Sequence, residues 1–270
     1  MTKLLSGSEL VEFIKERQAR QVRALRQAHN VFPKLAIIQT LDDSVIDTYV
    51  KLKKSYGNDI LVDVELFKID QDQLLGVVDR LNNDDSVHGI IIQLPLADGA
   101  ATDLSVNAVA PEKDVDGLGE NATLDPATPM AINWLLAGYN VNLVGKKIAI
   151  IGNGRLVGKP LNRIWLESGY DVTVFNRSTE NLEEQLQEFD VIVTATGVPG
   201  LVTSSVVKHG AVIVDAGTAS EHGKIVGDVA TDVRERDDVT ITPEKGGVGP
   251  LTVTALFENV IQAATKIIIK

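Results

Sequence analysis

Tyr49 and Lys53 stand at positions i and i+4 of a segment with helical periodicity, so one helix face presents a phenol and an amine side by side. Such a pair is suited to hydrogen-bonding a polar ligand and passing a proton. It also fits a solvated basic helix face, because Lys51 and Lys54 flank it. Two further segments favour the ligand reading. Gln93-Leu94-Pro95 follows directly on an apolar run, at the strand end where parallel sheets place ligand contacts. Lys113-Asp114-Val115-Asp116-Gly117 is an acidic turn, either a solvated loop or a binding edge for a polar ring.

A second kind of chemistry is indicated at Gly152-Asn153-Gly154-Arg155-Leu156-Val157-Gly158, which follows the apolar run 147–151 and opens a helical segment. Closely spaced glycines between a strand and a helix let backbone N–H groups and the positive helix end approach a pyrophosphate. Gly152 and Gly154 read as the close-approach positions and Gly158 as the point where helix and sheet pack tightly; a purely structural turn is the alternative. After the next strand come Asn176, Arg177, Ser178 and Thr179. An acid there would suit the free ribose hydroxyls of NAD, whereas Arg177 with its hydroxyl neighbours offers charge and hydrogen bonds to a 2'-phosphate. NADP is the expected coenzyme, with NAD as the alternative, and a solvated turn is the other reading of Arg177. Thr196-Gly197, after the following strand, is expected to face the adenosine or nicotinamide side.

These residues need alternating strands and helices to hold them. Periodicity predicts a helix over 8–27, a strand at 35–38, a helix capped by Asp42 or Asp43 that carries Tyr49, a strand over 61–67, a helix over 71–81 and a strand at 88–92. Pro, Gly, Asp and Asn at irregular spacing make 95–129 loops with a short helix. A helix over 128–136 leads to a second domain with strands at 147–151, 171–175, 191–194, 211–215 and 239–242, and helices at 157–167, 182–187 and 204–208. Beyond Pro250 a final apolar-faced helix is expected to return to the first domain. The fold class is α/β, two α/β domains separated by a cleft, the second a Rossmann-like dinucleotide-binding domain. Residues 1–128 with 251–270 form the first and 129–250 the second.

Composition narrows the classes. The chain has 270 residues, with 26 Lys and Arg against 37 Asp and Glu and a net charge of -11, which argues against a broad nucleic-acid surface. Without cysteine there is no disulfide, thiolate nucleophile or Cys-ligated metal. His29, His88, His209 and His222 lack metal-ligand spacing, so no metal is expected, and Trp134 and Trp165 read as packing residues. Residues 1–10 lack a basic start before an apolar core, and no run approaches the ~20 apolar residues of a membrane span. A soluble, cytoplasmic protein with no nucleic-acid or membrane partner is the expectation.

Taken in order, the motifs resemble the bifunctional methylenetetrahydrofolate dehydrogenase/methenyltetrahydrofolate cyclohydrolase family. The matching pieces are Tyr49 to Lys53, Gly89 to Leu96, Lys113 to Gly117, Pro126 to Pro129, Gly152 to Pro160, Val226 to Val229 and Gly246 to Thr252, spread over nearly the whole chain. The resemblance implies oxidation of 5,10-methylenetetrahydrofolate with NADP, then hydrolysis to 10-formyltetrahydrofolate. A monofunctional dehydrogenase and a noncatalytic folate-binding protein are the alternatives. It further implies that Lys53 is the cyclohydrolase acid/base, that Tyr49 helps place the folate, that Gln93 orients the lysine and that Asp116 hydrogen-bonds the pterin. Gly247, Pro250 and Leu251 would shape the folate side of the nicotinamide cleft. Gly152, Asn153, Gly154, Arg155, Gly158, Asn176, Arg177, Ser178, Thr196 and Gly197 would hold the coenzyme. Tetrahydrofolate one-carbon derivatives are the implied ligands, and a homodimer the implied assembly.

This chain departs from the family's usual pattern at several places. It has Gly152-Asn153-Gly154 and then Arg155 where Gly-Arg-Ser is common, Asn176-Arg177 where His-Ser is common, and Ser55 in place of a second lysine. Asp43-Ser44-Val45-Ile46 replaces an Asn-Pro-Ala-Ser stretch. Altered coenzyme contacts and rates are expected from these changes, with Tyr49, Lys53, Gln93 and Asp116 all retained.

Overall fold

A computed structural model of the chain describes residues 3–221 and 224–268; His222 lies outside them. In chain order the elements are β1 (Lys3–Leu4), α1 (Gly7–His29), β2 (Lys34–Gln39), α2 (Ser44–Ile60), β3 (Asp63–Lys68), α3 (Leu74–Asn82), β4 (Gly89–Ile92) and α4 (Thr102–Asn107). There follow α5 (Ala127–Gly138), β5 (Lys147–Ile151), α6 (Gly158–Glu167), β6 (Asp171–Phe175), α7 (Leu182–Leu186), β7 (Val191–Thr194) and β8 (Val212–Asp215). The last are β9 (Ala219–Glu221), β10 (Lys224–Val226), α8 (Thr231–Arg234), β11 (Thr240–Ile241) and α9 (Val248–Lys266). Two compact units result, one of Glu12–Ala127 with Val253–Lys270, the other of Met1–Val11 with Thr128–Thr252. We call them the lysine unit and the glycine-loop unit.

The lysine unit is built on a parallel sheet in the order β3-β2-β4, with Ile38 opposite Phe67 on one side and Ile92 on the other. Leu35, Ala36, Ile37 and Ile38 are all fully buried, which is why this central strand is an unbroken apolar run rather than an alternating one. Ala36, Ile38, Ile90 and Ile92 pack with Leu74, Val78 and Leu81 of α3 into one core. Asp43 caps α2, its Oδ1 accepting from Val45 N at 2.8 Å and Ile46 N at 3.1 Å. Gly57 lets α2 lie close on β3, since a Cβ there would sit 2.5 Å from Val64 Cγ2. The 95–129 segment is mostly loop with α4, as expected, but Asp114 forms an isolated parallel bridge to Ile90 and so continues the sheet edge.

The glycine-loop unit holds a parallel sheet in the order β1-β11-β8-β7-β5-β6. The order runs one way from β5 to β6 and the other way from β5 through β7 and β8, so the loop after β5 lies at a topological switch point. Ala149, Ile151, Phe175, Ile192, Ile213 and Ile241 belong to its core. Buried Trp165 packs in this unit and its indole N–H donates to Asn133 Oδ1 at 2.7 Å.

Several expectations are revised. The 204–208 helix is only a 3-10 turn, Ser204–Val206, and α9 begins at Val248, with Pro250 in the first turn, where the missing N–H costs nothing. The antiparallel pair β9–β10 and the edge strand β1, paired with β11, are additions. Among the described residues no helix is long and apolar enough to cross a membrane.

Candidate active site and coenzyme loop

In the lysine unit α2 carries Lys53 and the end of β4 carries Gln93. The Lys53 Nζ donates to Gln93 Oε1 at 2.6 Å. Gln93 is itself held, its backbone N–H on Ile38 O at 2.8 Å and its side-chain N–H on Leu94 O at 3.2 Å. With the amide nitrogen occupied, the oxygen end faces the lysine, and the contact is uncharged on the glutamine side. The Leu94–Pro95 peptide that follows is cis.

Burial pulls the Lys53 amine down from its usual range, while the Asp116 carboxylate nearby pushes it back up. Asp116 is pushed up to about 6 by burial; Lys53 opposes this and Asp114 adds to it. Burial also raises the half-buried Tyr49 phenol. Desolvation thus drives the lysine toward its neutral form, the one with a lone pair able to take a proton.

The two acids of the 113–117 turn have different tasks. Asp114 is buried and its carboxylate accepts from Gly117 N at 2.9 Å and Gly119 N at 2.8 Å, so it closes the turn. Asp116 is the one whose charge bears on Lys53. Sequence reasoning singled out Asp116 but missed Asp114 as a staple. It also missed Asn259 of α9, which donates to Val115 O and Asp125 O, each at 2.9 Å.

In the glycine-loop unit Gly152 has a φ of +102°, and a Cβ on it would lie 2.6 Å from Ala195 O, so only glycine fits. Its N–H bonds Phe175 O at 2.8 Å, so that group extends the sheet ladder and the residue forms the turn. A Cβ on Gly158 would land 1.7 Å from Gly152 O, so the start of α6 approaches the loop at glycine distance. Gly154 has open space around it, and Asn153, Gly154 and Arg155 are exposed. This combination of a tight turn, an open glycine and a helix start fits a dinucleotide pyrophosphate.

At the end of β6 the Asn176 Oδ1 accepts from Ser178 N at 2.9 Å and Ser178 Oγ at 2.6 Å, and Asn176, Arg177 and Ser178 are exposed. Thr196 is anchored by buried Asp228, which accepts from its N at 2.7 Å and its Oγ1 at 2.9 Å, with Gly197 next in chain. Gly247, Pro250 and Leu251 belong to the glycine-loop unit; Gly247 and Leu251 are buried there, and the position of a Cβ on Gly7 lies 3.2 Å from Leu251 Cδ1.

An open parallel sheet with a glycine loop at its switch point, on a chain whose other unit holds a desolvated lysine against a fixed amide, defines an NAD(P)-dependent enzyme with a separate proton-transfer group. Residues 5–116 match the catalytic domain of tetrahydrofolate dehydrogenase/cyclohydrolase, and residues 126–268 match its NAD(P)-binding domain. The chain belongs to the tetrahydrofolate dehydrogenase/cyclohydrolase family. It is 37% identical to the bifunctional protein FolD of Staphylococcus epidermidis, covering 97% of this chain and 96% of that one. The FolD methylenetetrahydrofolate dehydrogenase/cyclohydrolase of Campylobacter jejuni superposes with a TM-score of 0.93 at 34% identity, over 98% of this chain and 99% of that one. The Trypanosoma brucei FolD, solved with NADP and an inhibitor, gives 0.92 at 28% identity, over 99% and 98%.

Proposed function

We propose that the chain oxidises 5,10-methylenetetrahydrofolate to the 5,10-methenyl form with NADP and then hydrolyses it to 10-formyltetrahydrofolate. The observation that carries the second step is the bond from Lys53 to Gln93 in a setting that lowers the lysine's pKa. Bound NADP supplies the acceptor for the hydride that leaves the one-carbon bridge between N5 and N10. The chain's part in that step is placement: Tyr49 and Asp116 hold the folate, and the loop from Gly152 to Gly158 holds the pyrophosphate. Arg177 and Ser178 take the 2'-phosphate, and Thr196-Gly197 lines the coenzyme.

The methenyl product is a cation, electrophilic enough for water to add to its carbon. Neutral Lys53 takes a proton from that water as the C–O bond forms and returns it to N5 as the bond from the carbon to N5 breaks, while the remaining hydroxyl proton leaves to solvent and the formyl C=O forms; the cation's charge beside Lys53 favours the neutral amine further. Gln93 keeps the amine on its axis without adding charge. We place the enzyme in the cytoplasm as a homodimer, in keeping with the family.

The test is an anaerobic absorbance assay with 5,10-methylenetetrahydrofolate and NADP or NAD, following reduced coenzyme and methenyl product as separate signals. Coenzyme reduction followed by enzyme-dependent loss of the methenyl signal is the expected result. Reduction without that loss indicates a monofunctional dehydrogenase, and folate binding without either signal a noncatalytic binding protein.

A further inference from the structure

We infer that Asn259 of α9 is the positioning residue for Asp116, holding the peptide from which that side chain projects. The inference rests on the reading of Asp116 as a pterin contact. Asn259 is 1% exposed, and its two amide hydrogens go to Val115 O and Asp125 O. The Val115 carbonyl and the Asp116 N–H share one planar peptide unit, so the first bond sets the plane from which the Asp116 side chain departs. The second bond ties that plane to the 125–126 peptide.

Where these two stretches pass, the packing leaves no slack. Gly117 has a φ of +67°, and a Cβ on it would lie 2.7 Å from Leu124 O and 2.8 Å from Pro126 N. Asp114 closes the turn from within through Gly117 N and Gly119 N. The turn's shape is therefore set internally by Asp114, while its placement against the 124–126 stretch is set by a residue 144 positions along the chain. The Asp116 carboxyl feels the charges of Lys53 on α2 and of Asp114 in its own turn. A small rotation of the 115–116 peptide moves its carboxylate relative to both.

The experiment is a double-mutant cycle on the full-length enzyme with Asn259→Ala and Asp116→Asn, measuring KM and kcat for the folate substrate, with NADP affinity and thermal unfolding as fold controls. Asn259→Ala alone is expected to raise the folate KM about tenfold, the scale of one or two buried hydrogen bonds, with NADP affinity unchanged. In the Asp116→Asn background the same substitution is expected to change the folate KM less than about twofold, because its effect passes through Asp116. Asn259→Leu, which keeps the volume and removes the amide donors without burying a charge, is expected to give the same pattern and serves if the alanine variant does not fold. An equal rise in both backgrounds overturns the inference, as does an unchanged folate KM in Asn259→Ala when Asp116→Asn raises it. If Asp116→Asn itself leaves the folate KM unaltered, the pterin reading fails and takes the inference with it, a result distinct from the other two.

Discussion

The Lys53 amine and the Gln93 side-chain oxygen are 2.6 Å apart, and the far end of the same amide donates to Leu94 O at 3.2 Å. The glutamine is therefore a fixed neutral acceptor between a backbone carbonyl and a lysine. An amine held this way loses water contacts without gaining a full counter-charge at its nitrogen, and its pKa falls.

Replacing Gln93 by Glu puts a negative charge on that contact and raises the lysine's pKa. With the neutral amine as the proposed base, cyclohydrolase kcat at pH 7 should drop about 10- to 100-fold and its rise with pH should move to higher pH. Lys53→Met should lose at least about 100-fold at every pH. Cyclohydrolase pH–rate profiles of the wild type and both variants decide this; an unmoved profile for Gln93→Glu removes the base assignment.

Asp116, at about 6, titrates within reach of ordinary buffers. If the carboxylate accepts hydrogen bonds from the pterin, folate affinity weakens as pH falls through 6, and Asp116→Asn abolishes that dependence. Because the folded value is raised, this group's stabilising contribution is present below its unfolded value near ~3.9 and is lost as pH rises through about 6. The melting temperature of Asp116→Asn should accordingly gain on the wild type between pH 4 and 7. Calorimetric scans across that range show the sign directly.

Arg177 is exposed at the end of β6, where a 2'-phosphate would lie. Its replacement by Ala should raise the KM for NADP by about tenfold and leave the KM for NAD within about twofold, the loss of one charge-assisted contact. Equal small effects on both coenzymes return Arg177 to a solvated turn.

A methyl group on Gly158 meets the Gly152 carbonyl oxygen at 1.7 Å. Gly158→Ala should therefore push α6 off the loop, cost about 1–3 kcal/mol in urea unfolding and abolish measurable NADP binding by titration calorimetry. Gly154→Ala, at an open position, should leave stability within about 0.5 kcal/mol, so the two glycines separate packing from ligand approach.

Much of the scaffold was legible because buried parallel strands appear as unbroken apolar runs. Lys147–Ile151 and Val191–Thr194 fall where those runs lie, whereas the edge strand Asp171–Phe175 alternates polar and apolar positions. β1 was not legible: it is two residues long, and its partner, β11, is more than two hundred residues away in sequence. Gly152 was identified as a close-approach position, but that its N–H is taken by Phe175 O was not legible. A glycine's need for positive φ leaves a mark in the sequence; the destination of its N–H does not.

The sequence by itself determined the kinds of chemistry present: an amine and a phenol one helical turn apart, an amide at a strand end, acids in a turn and glycines between strand and helix. These follow from local periodicity and residue type. Only the tertiary structure decided that Gln93 meets Lys53 through its oxygen, that Asp114 staples the turn while the Asp116 charge acts on the lysine, and that Asn259 clamps the peptide between the two acids. The Gln93 and Asn259 contacts join segments 40 and 144 residues apart, and the different tasks of Asp114 and Asp116 follow from burial and geometry within the folded turn, because hydrogen-bond partners and pKa values are set by the space around a group.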